Sequence, residues 1–321
     1  MIGTTIGHYR ILAKLGEGGM GTVWKAQHTL LSRHVVALKL LPEHLWDSED
    51  ACQRFLRGAQ AVAGLDHPNI ATLYDADHGD GSLFVAFKLI DGETVSRRTA
   101  GGPLPPAEAV GIAADVGAAL AHAHGRGVLH RDVSPGNVMI DGEGRGILLD
   151  IGLARASADA SMTLTGTTMG TLTCIAPEVL GGGLADARTD VYALGVVLYR
   201  MATGRMPFEG EHREEVRYMI LNREPATPSS VSQNVRQSGI WRSPVTCSIA
   251  RPSRQQGARA RGVTSEGAVR HCPTCSLHRS ACLHRGPGAE ILQGLPEYEA
   301  FWPKSRAGVT RWVPVISWMA A

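Results

Sequence analysis

The chain contains 321 residues, of which 44% are hydrophobic and 19% are charged, and its formal net charge is +2. This length allows two domains of ordinary size and excludes a single small module. The composition is typical of a globular protein with a sizeable core, and it excludes a chain that is disordered throughout.

The charges divide the chain unevenly. Residues 231–321 carry 12 Lys and Arg against four Asp and Glu, whereas the preceding residues carry 20 against 26. The same final stretch holds four of the six Cys and four of the six Trp. We therefore expect a boundary near Val231, with little packed structure beyond it, because the stretch lacks the periodicity of a helix or a strand.

The first ninety residues predict short strands and one helix. Apolar residues over 50–65 follow a helical spacing, and His67-Pro68 ends that pattern. Four other stretches have the apolar, β-branched composition of strands: 9–15, 22–27, 35–40 and 83–90.

From residue 105 onward the pattern is mostly helical. Pro105 and Pro106 open a helix for which Gly125 is a suitable end, and a second helix runs from near Asp190 to Gly204. The sequence therefore predicts an α+β fold, with a small β-rich lobe followed by a mostly helical lobe.

A glycine-rich motif lies between the first two predicted strands. Residues 16–23 read G-x-G-x-x-G-x-V, and glycines allow backbone N–H groups to approach phosphate oxygens closely. The strand that follows disfavours a dinucleotide-binding fold, which needs a helix there. Glycine-rich hairpins also occur without any ligand, so this motif alone leaves a purely structural interpretation open.

A lysine ends the third predicted strand. Lys39 follows Val36-Ala37-Leu38, and an ammonium group that faces the interior needs an anionic partner, for which a nucleotide phosphate is suitable. The alternative is a surface lysine whose aliphatic stem covers apolar residues.

The most specific signal lies in residues 130–137, which read His-Arg-Asp-Val-Ser-Pro-Gly-Asn. Asp132 is followed five residues later by Asn137, then by an apolar strand over 138–140 and by Asp150. A carboxylate that accepts a hydroxyl proton, together with oxygen ligands for Mg²⁺, is what phosphoryl transfer requires. The pattern therefore predicts a phosphoryl-transfer site.

With the Ala-Pro-Glu motif at 176–178 and the segment that begins at Asp190, these residues resemble the protein kinases, most closely the bacterial eukaryotic-like Ser/Thr kinases. The resemblance covers roughly residues 8–228. It implies a bilobal protein-kinase fold with an N-lobe over 8–90 and an incomplete C-lobe over 91–230. Residues 231–321 would form a basic tail of unknown role.

The resemblance also implies roles for single residues. Asp132 would be the catalytic base, and Asn137 and Asp150 would hold Mg²⁺. Lys39 would contact the α- and β-phosphates of ATP and contribute to catalysis. The other nucleotide contacts that it implies are Gly16, Gly18, Gly21, Val23, Ala37, Lys88 and Leu89.

Two further expectations concern the catalytic and activation loops. The resemblance implies that Asp190 anchors the catalytic loop and that Thr171 contributes to Ser/Thr specificity. Thr163 and Thr165 are candidates for autophosphorylation, since a phosphate there could pair with Arg131. The alternative for this Thr-rich stretch is a solvated linker.

Three positions depart from the family pattern. Gly58 stands where relatives have a Glu that pairs with the lysine, and no carboxylate at helical spacing replaces it. Ser134 replaces a Lys near the γ-phosphate, and Ile151 replaces a Phe but is itself apolar and large enough to keep the packing role. The departures at Gly58 and Ser134 leave two interpretations open: a serine/threonine kinase of reduced activity, or a pseudokinase that binds nucleotide with little turnover.

The end of the resemblance differs more strongly. Relatives continue with two more helices and an Arg that pairs with the carboxylate of the Ala-Pro-Glu motif, here Glu178. Neither feature is recognisable in this sequence, so we expect the helical lobe to be under-packed around Glu178. A degraded gene product without a stable C-lobe is the third interpretation.

The expected cofactors are ATP and Mg²⁺, and the expected partners are proteins with accessible Ser or Thr, with a transient homodimer for trans-autophosphorylation left open. No signal peptide or membrane-spanning stretch is recognisable, so we expect a cytoplasmic location and free thiols. The Cys and His residues of the tail lie too close together for a usual zinc site. No nucleic-acid partner is expected, because the basic tail lacks interleaved aromatic residues.

Overall fold

A computed structural model describes residues 1–238 apart from 19–20, 32, 43–48, 80 and 152–171. Thr163, Thr165 and Thr171 therefore lie outside the described residues. The chain divides into two units, Met1–Gly239 and Ile240–Ala321, and the second unit is also outside them.

An antiparallel sheet forms the first part of the chain, with six strands in the order β1-β2-β3-β4-β6-β5. Its strands are β1 (Thr5–Ile6), β2 (Tyr9–Gly18), β3 (Gly21–His28), β4 (Val35–Leu40), β5 (Leu73–Gly79) and β6 (Ser82–Lys88). The four predicted strands are confirmed, whereas β1 and β5 were not predicted.

The two faces of β4 differ because side chains alternate along a strand. Val36 and Leu38 are fully buried in a cluster with Trp24 of β3. Ala37 and Lys39 lie on the opposite face, and Lys39 is paired in register with Val23. The sheet therefore separates an apolar core from a face that carries the lysine.

Helix α1 (Glu49–Ala63) packs against β5. Its acidic residues, Glu49 and Asp50, lie in the first turn, where they complement the positive end of the helix dipole. Phe55, Ala59 and Val62 are buried at the helical spacing predicted from the sequence.

A second, three-stranded antiparallel sheet follows in the order β7-β8-β9. Its strands are β7 (Gly92–Thr94), β8 (Val138–Asp141) and β9 (Gly146–Leu148), and helices α2 (Val95–Arg98) and α3 (Pro106–His124) lie between the first two. Helix α3 begins and ends as predicted, with Pro106 in its first turn and Gly125 as its C-cap.

Between residues 172 and 238 the chain forms five helices: α4 (Pro177–Leu180), α5 (Ala187–Thr203), α6 (Arg213–Asn222), α7 (Pro228–Val231) and α8 (Gln233–Ser238). The side chain of Asp186 accepts a hydrogen bond from the N–H of Arg188 and so caps α5. Gly204 ends α5 with a φ of 75°, which favours glycine. A β-rich part followed by a helical part is therefore confirmed.

Packing continues past the predicted boundary near Val231. Val235 of α8 is 1% exposed, although its helix has no other buried apolar residue. Across the described ranges, no helix combines the length and the apolar character that a membrane span needs.

Candidate functional site

The β8–β9 hairpin brings Asn137 and Asp150 together. Asn137 immediately precedes β8, Asp150 follows β9 by two residues, and Val138 pairs with Leu148 in the antiparallel register. The N–H of Leu149 donates to the carbonyl of Asn137 at 2.9 Å and extends the pairing. The hairpin thus holds two oxygen-bearing side chains at one end.

Asp132 is joined to Asn137 through a side-chain amide. Nδ2 of Asn137 donates to Oδ2 and to the backbone carbonyl of Asp132, at 2.8 Å in each case. Burial raises the pKa of Asp132, and the nearby His130 and the hydrogen bond from Asn137 offset part of this rise. Because Asp132 uses the amide nitrogen, the Oδ1 of Asn137 is the atom suited to a metal ion.

His130 connects the loop of Asp132 to the segment that leads into Asp150. Its ring is fully buried, Nδ1 accepts from the N–H of Asp132 at 3.1 Å, and Nε2 lies 2.8 Å from the carbonyl of Leu149. Since Nδ1 accepts, Nε2 carries the hydrogen that points to the carbonyl of Leu149. The sequence places His130 in a motif but does not predict this role.

Asp190 of α5 binds the backbone of the same loop through its carboxylate. Its Oδ2 accepts from the N–H of His130 at 2.9 Å, and its Oδ1 accepts from the N–H of Arg131 at 2.7 Å. His124, at the end of α3, places Nε2 2.8 Å from Oδ2. Burial alone would raise the pKa of Asp190, but the hydrogen bonds from His124 and from these backbone groups outweigh it and lower the pKa.

The carboxylate of Asp190 is therefore anionic inside the protein, where it fixes the loop. Arg131 has a φ of 66°, an unusual value for a residue with a side chain, and Asp190 holds its N–H in that conformation. The contact with His124 was not predicted, since no sequence pattern relates two residues that lie 66 positions apart.

Lys39 and Asp150 form a short ion pair. Nζ of Lys39 lies 2.8 Å from Oδ2 of Asp150, and the Lys39 residue is 6% exposed. Asp150 has a φ of 55°, and the following Ile151 is 1% exposed. The alternative of a solvated surface lysine is therefore wrong.

Gly58 lies in α1 between two buried neighbours of the same helix face, Phe55 and Val62. Past the first turn, α1 contains no Asp or Glu. In the described part of the chain, the ion pair of Lys39 is with Asp150 alone. The structure thus agrees with the expectation that α1 offers Lys39 no carboxylate near Gly58.

The glycine-rich hairpin leaves space beside its backbone. A Cβ atom on Gly16 or Gly18 would meet nothing within 4 Å. Gly21 differs, because its φ is 114° and a Cβ would collide with the carbonyl oxygen of Leu40. Gly21 is therefore required by the fold, whereas the space beside Gly16 and Gly18 is suited to a ligand.

Val23 and Ala37, which are suited to contact a nucleotide base, lie on the face of the sheet that carries Lys39. Ala37 pairs in register with Phe87 of β6, and Val23 pairs with Lys39. The N–H of Lys88 donates to the carbonyl of Thr72 at 2.9 Å. Lys88 could therefore offer a base only its carbonyl, and Leu89 is the other predicted backbone contact.

Glu178 of α4 is the carboxylate of the Ala-Pro-Glu motif. Glu178 is exposed, and within the described residues it forms no ion pair. Arg217 of α6 instead donates to the carbonyl of Leu180 at 3.1 Å, which links α6 to α4. Ser134, which also departs from the family pattern, is 6% exposed, so its part of the loop after Asp132 is packed.

The donor set fits a hard divalent cation. Asn137 and Asp150 offer an amide oxygen and a carboxylate, which are ligands that Mg²⁺ prefers. Asp150 also lies close enough to Asp132 to contribute to its raised pKa. The arrangement thus combines three oxygen-bearing side chains, those of Asp132, Asn137 and Asp150, with the buried ammonium group of Lys39.

The sequence matches the family described as "Protein kinase domain" over residues 9–247. The serine/threonine-protein kinase PrkC of Bacillus subtilis is 37% identical over 240 residues, which are 74% of this chain and 37% of that protein. The serine/threonine-protein kinase PknJ of Mycobacterium tuberculosis is 40% identical over 210 residues, covering 64% of this chain and 36% of the relative. The chain thus spans well under half the length of these curated relatives.

The fold also has solved counterparts. The crystal structure of the Mycobacterium tuberculosis PknI kinase domain matches with a TM-score of 0.58 and 28% identity. The match covers 75% of this chain and 88% of that one.

Proposed function

This chain belongs to the protein kinase family, and from that premise we propose that it is a serine/threonine kinase. The reaction transfers the γ-phosphoryl group of ATP to the hydroxyl of Ser or Thr in a protein substrate. The observation that carries the proposal is the contact of Asp132 with Asn137 beside the ion pair of Lys39 and Asp150. This is the set of groups that phosphoryl transfer requires.

Asp132 acts on the attacking hydroxyl. Its carboxylate orients the Ser or Thr hydroxyl and accepts the proton as the oxygen attacks phosphorus. Burial raises the pKa of Asp132, which makes the carboxylate a stronger base than an exposed Asp. Asn137 fixes the carboxylate through its amide nitrogen.

Asn137 and Asp150 are the residues that would hold Mg²⁺. A bound Mg²⁺ would neutralise charge on the phosphate oxygens during transfer. Lys39 would contact the α- and β-phosphates, and the backbone beside Gly16 and Gly18 would cover them. Val23, Ala37, Lys88 and Leu89 would surround the base.

The pseudokinase alternative has less support. Asp132, Asn137 and Asp150 are all present, and hydrogen bonds join Asp132 to Asn137 and Lys39 to Asp150. The curated relatives are named as serine/threonine kinases. Gly58 therefore argues for reduced turnover and not for its absence.

We further propose a cytoplasmic site of action, since ATP is available there. Proteins with accessible Ser or Thr would be substrates, and a transient homodimer would allow one copy to phosphorylate Thr163 or Thr165 of another. No observation supports a nucleic-acid partner.

Autophosphorylation with labelled ATP and Mg²⁺ tests the proposal. The full chain should incorporate label, and Asp132→Asn should abolish it while leaving the fold unchanged. Asp77→Asn is the matched control, because Asp77 is an exposed carboxylate on the edge strand β5, and it should retain the label. Folded wild-type protein that binds ATP without incorporating label into itself or into a Thr-containing protein would instead support the pseudokinase.

A further inference from the structure

Lys39 has a different partner from the one that the family pattern provides. The resemblance places a Glu at position 58 in relatives, and here that residue is Gly58. Lys39 contacts Asp150 at 2.8 Å instead, and Asp150 is a residue to which the proposed function assigns the metal. The carboxylate of Asp150 would therefore have to bind both the ammonium group of Lys39 and the metal ion.

Lys39 and a metal ion would compete for Asp150, because the side chains of this pair are mostly closed to water. The side chains of Lys39 and Asp150 are 8% and 21% exposed. A divalent cation on either oxygen of Asp150 would lie within a few ångströms of the ammonium, where like charges repel and little water screens them. In the described residues of α1, no acid past the first turn could take Lys39 when a metal arrives.

We propose that Lys39 and the divalent cation exchange at Asp150, so that nucleotide and metal bind cooperatively in this chain. Without nucleotide, Lys39 neutralises Asp150 and weakens metal binding. Nucleotide phosphates give Lys39 a second anionic partner, which releases Asp150 to the metal. This inference rests on the proposed function, since it assumes that the site takes a nucleotide and Mg²⁺.

Position 58 gives a direct way to test the exchange. Gly58 lies between Phe55 and Val62 on the buried side of α1, and Glu is a better helix former than Gly. Gly58→Glu should therefore fold, and its carboxylate should take Lys39 from Asp150. Metal binding would then no longer depend on nucleotide to displace the lysine.

The measured quantity is a coupling factor, namely the dissociation constant of ADP in EDTA divided by that in saturating Mg²⁺. ADP avoids turnover, and calorimetry on the full chain gives both constants. Gly58→Glu should lower this factor about ten-fold, which is within the usual range for coupling between two sites. Complexation of Mg²⁺ by free ADP is the same for every variant and does not affect the comparison.

Two controls separate pairing from general charge effects. Gly58→Gln has the same shape without the charge, and Gln60→Glu adds the same charge at an exposed position of α1. Both should keep the wild-type factor. An unchanged factor in Gly58→Glu, or an equal decrease in either control, would overturn the exchange.

A second measurement uses the nucleotide-free chain. Mn²⁺ binding, followed by the paramagnetic resonance of the free ion, should be about ten-fold tighter in Gly58→Glu than in wild type. In a Lys39→Met background the same substitution should have no effect, because no lysine is left to displace. An equal gain with and without Lys39 would overturn the inference. Failure of wild type to bind ADP in either buffer would overturn the proposed function as well.

Discussion

The imidazole rings of His67 and His122 pack against each other with their centroids 5.0 Å apart, so the connection between α1 and β5 rests on helix α3. Burial lowers the pKa of both rings. His122 lowers the pKa of His67 further, and Arg126 lowers that of His122 further. Asp66 opposes the shift at both rings. The contact therefore favours two neutral rings.

This pair should make the fold sensitive to mild acid. A His whose pKa is lowered by folding binds protons more readily when unfolded, so stability decreases as the pH falls below about 6.5. His122→Phe keeps the ring contact and removes one titrating group, so the loss of Tm between pH 7.5 and 5.5 should shrink to about half. His212→Gln, at an exposed position, should leave the loss unchanged. An undiminished loss in His122→Phe would contradict this account.

Asn137→Asp tests the hydrogen bond that fixes the catalytic base. The substitution keeps an oxygen ligand but replaces the donor with a second negative charge beside Asp132. The pKa of Asp132 should rise further, because like charges disfavour ionisation. Activity should fall at least about ten-fold, which corresponds to the loss of about 1.4 kcal/mol in the transition state. The acidic limb of the pH–rate profile should move to higher pH, and a profile that keeps its position would contradict this role.

Asp190→Ala tests the buried anion under the loop. It removes the acceptor for the N–H groups of His130 and Arg131 and the contact with His124, and hydrogen bonds to a charged group are worth about 1.5–3 kcal/mol each. The free energy of unfolding in urea should decrease by about 3 kcal/mol or more. Asp186→Ala, which removes the exposed cap of the same helix, should cost only about 1 kcal/mol.

The lowered pKa of Asp190 also sets the pH range of its contribution. An Asp whose pKa is lowered by folding stabilises the protein above about pH 4, and this stabilisation is lost as the pH falls through its folded pKa. The difference between wild type and Asp190→Ala should therefore be full at pH 7 and smaller at pH 3. Equal costs for Asp190→Ala and Asp186→Ala at pH 7 would contradict the assigned role.

The glycine hairpin permits a comparison of two small substitutions. In Gly21→Ala the new methyl group would collide with the carbonyl of Leu40 at a positive φ, so we expect a loss of at least about 1–2 kcal/mol of stability. In Gly16→Ala the methyl group meets nothing within 4 Å, so stability should change little. Its effect should appear in the KM for ATP, which should rise if phosphates approach this backbone. An unchanged KM would place the phosphates elsewhere.

Much of the fold was predictable because its core elements carry clear patterns. Strand β4 places Val36 and Leu38 in the core and Ala37 and Lys39 on the opposite face, and α3 is bounded by Pro106 and Gly125. Strand β5, with the sequence LYDADHG, was missed because it lies at the edge of the sheet and is mostly polar, as edge strands often are. Helix α8 was missed because Val235 is its only buried residue.

The site was predictable in composition but only partly in its contacts. The motifs indicated Asp132, Asn137 and Asp150, but they did not indicate which carboxylate contacts Lys39. The contacts of Lys39 with Asp150 and of His124 with Asp190 join residues that lie 111 and 66 positions apart. Such distances have no local periodicity, so only the folded chain reveals these contacts.

Leu149 joins the base loop to the metal-binding segment through its main chain alone. Its N–H donates to Asn137, and its carbonyl faces the ring of His130. Any amino acid with an N–H can supply these two bonds, so the site's alignment depends little on which side chain is present. A saturation library should therefore recover many active variants at this codon, and proline, which has no N–H, should be depleted among them.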